Sequence, residues 1–253
     1  MTKSPAEILQ ELIRFDTTNP TGNERACIEY LEGLFVRHGI DTKTLARDTE
    51  RPNLLARIPG GSAPPLLLYG HVDVVPVESQ QGDPPPFSGE IADGFIWGRG
   101  AIDMKGGLAM MASAMIRMKE TGEAPPGDLI FAAVSDEELG GNFGARFLVE
   151  EHPEEFAGVR HAIGEVGGFA TDVSGLRVYP LMIAEKQSVL VTLTFRGLSG
   201  HGSLATRSGA MAHMAEAVRL IESKRLPVHI TPAVRESLSA LARALPFPKS
   251  LFI

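Results

Sequence analysis

The feature that most constrains the fold is a set of short apolar runs, each followed at once by glycine, acidic or imidazole residues. Residues 66–69 (LLLY) lead into residues 70–73 (GHVD), and residues 129–134 (LIFAAV) lead into residues 135–138 (SDEE). Runs that are short and continuous are typical of strands buried on both faces of a sheet. We therefore expect these polar residues at the carboxyl ends of buried strands.

Stretches with helical periodicity separate the apolar runs. A capping box and a first-turn proline at residues 4–7, followed by an apolar stripe, indicate a helix that Asn19 and Pro20 end. Further helices are predicted at residues 23–39, 105–120 and 144–151, and further strands at residues 54–58 and 161–163. Because strands alternate with helices, we predict an α/β fold in which a mostly parallel sheet is flanked by helices.

The pattern changes near Ala184. Residues 189–195 alternate between apolar and polar side chains, as in a half-exposed strand of an antiparallel sheet. Two helices follow. One begins at Ser208 and carries Met211, Met214, Val218 and Ile221 on one face, and one begins at Thr231 with Val234, Leu238 and Leu241 predicted to face inward. We predict one domain over residues 1–184 and a smaller α+β domain over residues 185–253.

Composition and charge exclude several classes of partner. The net charge of -7 and the pI of about 5.5 argue against nucleic acid, because phosphate binding requires a basic surface. The single cysteine, Cys27, allows no intrachain disulfide, which fits a reducing compartment. No apolar signal segment opens the chain, and no apolar run approaches the length of a membrane span. We predict a soluble, cytoplasmic protein without a membrane partner.

Acidic and imidazole side chains gather where open α/β sheets place their sites. They fall at predicted strand ends or in the next loops: His71 with Asp73, Asp103, Glu137 with Glu138, and Glu165. One such cluster alone would be a solvated loop charge, but four of them indicate a site. Imidazole together with several carboxylates suits zinc, manganese or cobalt.

Three motifs, in order, resemble those of the M20 peptidase and deacylase family. They are residues 70–76 (GHVDVVP), 98–107 (GRGAIDMKGG) and 135–141 (SDEELGG), and Glu165 stands where that family has another acidic ligand. The family includes aminoacylases, carboxypeptidases, acetylornithine deacetylases and succinyl-diaminopimelate desuccinylases. The resemblance covers essentially the whole chain. It implies a zinc-exopeptidase-like catalytic domain at residues 1–184 and the start of a lid or dimerisation domain at residues 185–253.

The resemblance also implies a metal centre. His71, Asp103 and Glu165 would bind one ion, and Asp103 would bridge to a second ion that Glu138 also binds. Zn²⁺ is the implied metal, with Co²⁺ or Mn²⁺ as alternatives. Asp73 would orient His71.

In that family a glutamate acts as the base in amide hydrolysis. Glu137 would deprotonate the metal-bridging water and pass the proton to the leaving amine. The substrate would be a small molecule, either an N-acyl amino acid or a short peptide.

Residues 197–203 (GLSGHGS) resemble the beginning of the family's lid domain. By the resemblance His201 would stabilise the tetrahedral oxyanion, often in the active site of the partner subunit, which implies a homodimer. A lone histidine in a glycine loop is otherwise more often solvated. Arg207 would hold a substrate carboxylate, although a plain surface arginine explains the residue equally well.

The sequence departs from the family at its carboxyl end. In that family the chain returns from the lid to the catalytic domain and supplies a final histidine to the metal held by the counterpart of Glu138. The sequence ends at Ile253, and neither His213 nor His229 stands in a metal motif. We therefore expect a weak second metal site, an unpaired edge or uncovered face of the sheet, and low or absent activity.

Two functions from different classes stay open. The first is a two-metal amidohydrolase, favoured by Glu137, since a binding protein has no need of a base. The alternative is a catalytically weak or inactive relative that binds metal or an amino-acid-like ligand. A nucleotide-binding function lacks the P-loop lysine and the strand–glycine–helix setting, and a serine hydrolase lacks its Gly-x-Ser-x-Gly turn.

Overall fold

The computed structural model describes residues 3–78, 84–165, 170–183, 189–198, 200–201, 203 and 209–245. The chain divides into two compact units, Met1–Gly167 and Gly168–Ile253. The domain boundary predicted near Ala184 falls outside the described residues and stays a prediction.

A five-stranded sheet forms the centre of the first unit. In chain order the strands of this unit are β1 (Asp41–Leu45), β2 (Asn53–Ile58), β3 (Ala63–His71), β4 (Glu90–Ala92), β5 (Phe95–Trp97), β6 (Gly127–Val134) and β7 (His161–Ile163). β4 and β5 form a separate hairpin, and the sheet order is β1-β2-β6-β3-β7. β3 is parallel to β6 and β7, whereas β2 is antiparallel to both of its neighbours. All strands of the sheet except β2 therefore run in one direction, and the predicted α/β class is confirmed.

Four helices flank this sheet close to their predicted ranges. They are α1 (Pro5–Arg14), α2 (Arg25–Arg37), α3 (Lys105–Thr121) and α4 (Ala145–Glu151). The predicted capping box opens α1: the Ser4 backbone N–H donates to Glu7 Oε2 (2.8 Å), and the Glu7 N–H donates to Ser4 Oγ (3.3 Å). Two orphan donors of the first turn are thereby satisfied, which fixes where the helix begins.

The apolar core lies on both faces of β6. Phe131 and Ala133 pack into a large cluster with α1, α2 and α3, whereas Ala132 and Val134 pack with Phe147 of α4 in a smaller one. The continuous apolar run of β6 is therefore buried on both sides, as predicted. This packing holds the carboxyl end of the strand, where the acidic residues follow, in a fixed position.

The second unit contains little of the predicted sheet. Its described elements are the hairpin of β8 (Thr171–Val173) and β9 (Leu176–Val178) and the helices α5 (Ala210–Ser223) and α6 (Pro232–Ala244). The strand predicted at residues 189–195 is wrong: residues 189–198 are described and form no strand. Alternating side chains produce a strand only where a neighbouring strand pairs with it, and none pairs here within the described chain.

The helices of the second unit also depart from the prediction. The N-cap of α5 is Gly209 instead of Ser208, whereas α6 begins as predicted, with Thr231 Oγ1 accepting from the Val234 N–H (3.3 Å). In α6, Val234 and Leu238 are exposed although they were expected to face inward, because the described residues place no apolar layer over them. The apolar face of α5 is also exposed, at Met211, Met214, Val218 and Ile221. Among the helices that the structure describes, none combines the length and the apolar composition needed to cross a bilayer.

Cys27 of α2 gives a direct test of the core. Its side chain is fully buried, and burial raises the pKa of the thiol to about 11. Since the thiolate is the reactive form, we expect Cys27 to resist iodoacetamide at about pH 8 in the folded chain and to react once guanidinium unfolds it. Mass spectrometry counts the label directly, because the chain has one cysteine. Equal labelling rates with and without denaturant would contradict the buried core.

Candidate metal centre

The site begins where β3 and β6 end side by side. The two strands are parallel, His71 is in register with Val134, and the Val72 N–H donates to the Val134 carbonyl (2.9 Å). The segments that leave both strands therefore start at one edge of the sheet. This register brings the first and third polar motifs together, as their positions after buried strands predict.

His71 is the buried centre of the cluster. Its Nδ1 lies 3.0 Å from the Asp73 carbonyl oxygen and 3.3 Å from Asp73 Oδ1. Its Nε2 lies 3.0 Å from Asp103 Oδ1, 3.8 Å from Glu137 Oε2 and 4.0 Å from Glu165 Oε2. Because Nδ1 faces only Asp73 oxygens, we assign the Nδ1–H tautomer to a metal-bound His71, with the Nε2 lone pair directed at the carboxylates.

Asp73 orients His71 and also holds the third motif. Its Oδ1 accepts from the Glu137 N–H (3.0 Å), and its Oδ2 accepts from the Glu138 N–H (3.1 Å) and from Asn19 Nδ2 (2.9 Å). Burial acts to raise the pKa of Asp73, but the hydrogen bonds to His71 and Asn19 outweigh it and lower that pKa. Asp73 is therefore a buried anion that joins the ends of β3 and β6.

The donor atoms have the chemistry and the spacing of a metal site. One ligand atom each of His71, Asp103 and Glu138 lies within 4.8 Å of the others. Nitrogen and carboxylate ligands bind first-row divalent cations at about 2.0–2.2 Å, so two ligands of one ion lie at most about 4.4 Å apart. Small side-chain adjustments suffice to reach that geometry. Asp103 is more than half exposed, which leaves one side of the cluster open.

Comparison with known proteins identifies the family. Residues 67–247 match peptidase family M20/M25/M40. The chain belongs to this M20 family. It is 32% identical over 203 residues to a probable succinyl-diaminopimelate desuccinylase of Staphylococcus epidermidis, covering 78% of the chain and 45% of the relative. It is 38% identical over 151 residues to the succinyl-diaminopimelate desuccinylase of Paracoccus denitrificans, covering 58% of the chain and 38% of the relative.

Two solved structures share the fold over about two thirds of the chain. An M20 metallo-carboxypeptidase from Sulfolobus solfataricus aligns with a TM-score of 0.57 at 23% identity, over 66% of the chain and 38% of that protein. Human carnosine dipeptidase 1 aligns with a TM-score of 0.52 at 21% identity, over 63% of the chain and 38% of that protein. The chain thus spans less than half the length of these relatives.

The structure brings most of the residues predicted from the M20 resemblance together. His71, Asp103, Glu137, Glu138 and Glu165 all surround the edge at which β3 ends. The assignment of Glu165 to the first ion and of Glu138 to the second stays a prediction. His201 lies in the second unit, where its Nδ1 is 2.8 Å from Ser203 Oγ, and Arg207 falls outside the described residues.

The carboxylates around His71 concentrate negative charge that a bound cation would offset. Burial, and then the charge of Asp103, raises the pKa of both Glu138 and Glu165. Burial opposes a charged His71, but its hydrogen bond to Asp73 and the surrounding carboxylates raise its pKa to about 9. The neighbouring carboxylates thus disfavour ionisation of Glu138 and Glu165, and a divalent cation among them would relieve that repulsion.

Sequence reasoning missed the polar residues beneath the cluster. Asn19, Glu24 and Arg51 are buried, and Asn19 contacts Asp73 of the cluster. Lys105 is buried as well, with its Nζ donating to the Phe15 carbonyl (2.8 Å). Polar residues in loops are exposed by default, so only the tertiary structure shows that these are buried. The segments around Asn19 and Arg51 are polar throughout, so the sequence carries no signal of this burial.

Replacing His71 with alanine tests the metal centre. After dialysis against zinc, we expect at least one ion per wild-type chain by elemental analysis, and a much lower content in His71→Ala. At free zinc of about 100 times Kd, binding stabilises the wild type by about 2.7 kcal/mol, so its Tm rises on adding zinc and that of the variant does not.

His38→Ala is the matched control for that experiment, since the His38 ring lies beside Glu120 at the end of α2 (3.3 Å). It should bind and respond to zinc as the wild type does. Equal metal content in His71→Ala and the wild type would contradict the assignment of the centre.

Proposed function

We propose that the chain supplies the metal-binding and catalytic residues of an M20 amidohydrolase, which cleaves an amide bond in an N-acyl amino acid or small peptide. The observation that carries the proposal is the position of Glu137. Its carboxylate shares one sheet edge with three donors suited to a divalent cation, and its Oε2 is 3.8 Å from His71 Nε2. A base beside a metal centre is the combination that hydrolysis by an activated water requires.

The donor set fits Zn²⁺, with Co²⁺ and Mn²⁺ as alternatives. His71, Asp103 and either Glu138 or Glu165 would hold the first ion. Asp103 lies beside both glutamates and is the residue that would be shared with a second ion. When bound, such a cation acts as a Lewis acid toward the substrate carbonyl and lowers the pKa of a nearby water.

Glu137 performs the proton transfers in this proposal. Its carboxylate takes a proton from the attacking water as the water oxygen bonds to the carbonyl carbon. It then gives that proton to the amide nitrogen as the carbon–nitrogen bond breaks, which releases an amine and a carboxylic acid. Asp73 supports this role through its hydrogen bond to the Glu137 N–H (3.0 Å), which fixes the backbone from which the base projects.

The names of two relatives support the proposed substrate class. Succinyl-diaminopimelate desuccinylase and carnosine dipeptidase are both named for substrates with an amide bond next to an amino-acid carboxylate. An N-acyl amino acid or a short peptide would fit this shared chemistry. His201 as oxyanion donor, Arg207 as carboxylate ligand, a homodimer and a cytoplasmic location belong to the same proposal.

Glu137→Gln tests the catalytic role. Removing the base while keeping its size should lower kcat about 10²–10⁴-fold with zinc content unchanged. The assay uses zinc-loaded chain with N-succinyl and N-acetyl amino acids and dipeptides, with release of free amine as the readout. A chelator should abolish the wild-type activity.

Glu154→Gln is the matched control, because Glu154 is an exposed glutamate beside His152 in the same unit. Its activity should equal that of the wild type. Wild-type turnover that survives Glu137→Gln would contradict the role of Glu137. Ligand-induced stabilisation of the wild type without turnover would favour the alternative, a relative that only binds metal or an amino-acid-like ligand.

A further inference from the structure

A buried ionic network adjoins the metal centre at Asp136, which directly precedes Glu137. It consists of Glu24, Arg51 and Asp136, whose side chains are 0%, 10% and 3% exposed. Isolated buried charges are unfavourable, so each of these groups must be paired. Since a buried ion pair is often replaceable by apolar residues at no loss of stability, its presence calls for a role beyond holding the fold together.

Arg51 pairs with both carboxylates at once. Its Nη2 lies 2.7 Å from Glu24 Oε1 and its Nε lies 3.2 Å from Glu24 Oε2, while its Nη1 lies 3.1 Å from Asp136 Oδ1. The guanidinium also stacks over the Phe143 ring, at 4.9 Å from the centroid. A Cβ added to Gly22 would come within 2.4 Å of Arg51 Nε, so the chain leaves space for this side chain. Two ion pairs and one aromatic ring thus fix the position of the planar guanidinium.

Asp136 connects Arg51 to the turn that carries Glu137 and Glu138, called the catalytic turn below. It precedes the 3₁₀ turn Glu137–Leu139 and adopts a left-handed backbone conformation (φ 67°). A residue other than glycine rarely adopts this conformation, and its surroundings must hold it there. Besides the contact with Arg51, Asp136 Oδ2 accepts from the Phe143 N–H (3.2 Å). The direction in which Glu137 and Glu138 leave β6 therefore depends on how Asp136 is held.

Asn19 joins this network to Asp73. Its Nδ2 lies 2.9 Å from Asp73 Oδ2 and 3.2 Å from Asp136 Oδ1, so one amide group bridges two buried carboxylates. Asp73 in turn accepts from the backbone N–H groups of Glu137 and Glu138. The catalytic turn is thus held from one side by Asp136 and from the other by Asp73.

We propose that Arg51, acting through Asp136, is a positioning residue that sets the orientation of Glu137 and Glu138 at the metal centre. Arg51 does not bind the metal itself. It affects the direction in which the base, Glu137, and the ligand, Glu138, point. The inference rests on the proposed function, because it assigns Arg51 to the same metal centre.

Arg51→Lys and Asp136→Asn test the proposal by cobalt binding. Lysine keeps the charge of Arg51 but lacks the planar fork that contacts two carboxylates, and asparagine keeps the shape of Asp136 and tolerates a left-handed backbone. We expect each variant to bind Co²⁺ about 10–100-fold more weakly than the wild type, the range that loss of a group orienting a metal ligand produces. The visible Co²⁺ spectrum of each loaded variant should differ from that of the wild type.

The matched controls are Arg57→Lys and Asp128→Asn. Arg57 Nη1 and Asp128 Oδ2 form an arginine–aspartate pair (2.7 Å), and Asp128 lies at the amino end of β6, about 20 Å along the strand from Val134. These variants should keep the wild-type Co²⁺ affinity and spectrum. Circular dichroism of each metal-free variant shows whether it is folded, and Asp136→Asn serves as the test if Arg51→Lys does not fold.

The outcomes separate this inference from the proposed function. Wild-type cobalt affinity and spectrum in a folded Arg51→Lys or Asp136→Asn chain would overturn the positioning role and leave the metal centre intact. Equal losses in the Arg57 and Asp128 controls would also overturn it, since a general loss of stability would then explain the data. A wild-type chain that binds no Co²⁺ would overturn the metal centre and this inference together.

Discussion

The candidate site depends on one buried carboxylate, that of Asp73. An ionised carboxylate removed from water is stable only when hydrogen-bond donors surround it, and Asp73 has the His71 ring, the Asn19 amide and two backbone N–H groups. Those donors come from three separate segments of the chain. Satisfying one anion therefore fixes the tautomer of His71 and the start of the turn that carries Glu137 and Glu138.

The parallel pairing of β3 with β6 brings the segments around Asp73 together. Parallel neighbours end at the same edge, and the apolar packing on both faces of β6 keeps that edge in place. Asp136, paired with Arg51, then connects β6 to the turn that carries Glu137 and Glu138. The packed core positions the strand ends, and the ion pairs of Arg51 are proposed to orient the turn that follows β6.

Much of this could be predicted from the sequence, because the decisive information is local. Short apolar runs located β3 and β6, and the polar residues after them located His71, Asp73 and Glu138. The strand predicted at residues 189–195 was wrong and the burial of Arg51 was missed for one physical reason. Both depend on which distant parts of the chain pack beside these residues. Asn19 contacts Asp136 across 117 positions, and no local pattern records such a contact.

The most direct test of the central claim is a crystal structure of the zinc-loaded chain with anomalous data at the zinc edge. The account predicts an anomalous peak about 2.0–2.1 Å from His71 Nε2, with carboxylate oxygens of Asp103 and of Glu138 or Glu165 completing its coordination. A zinc ion bound elsewhere, with His71 Nε2 still 3.0 Å from Asp103 Oδ1 and no zinc beside it, would contradict it.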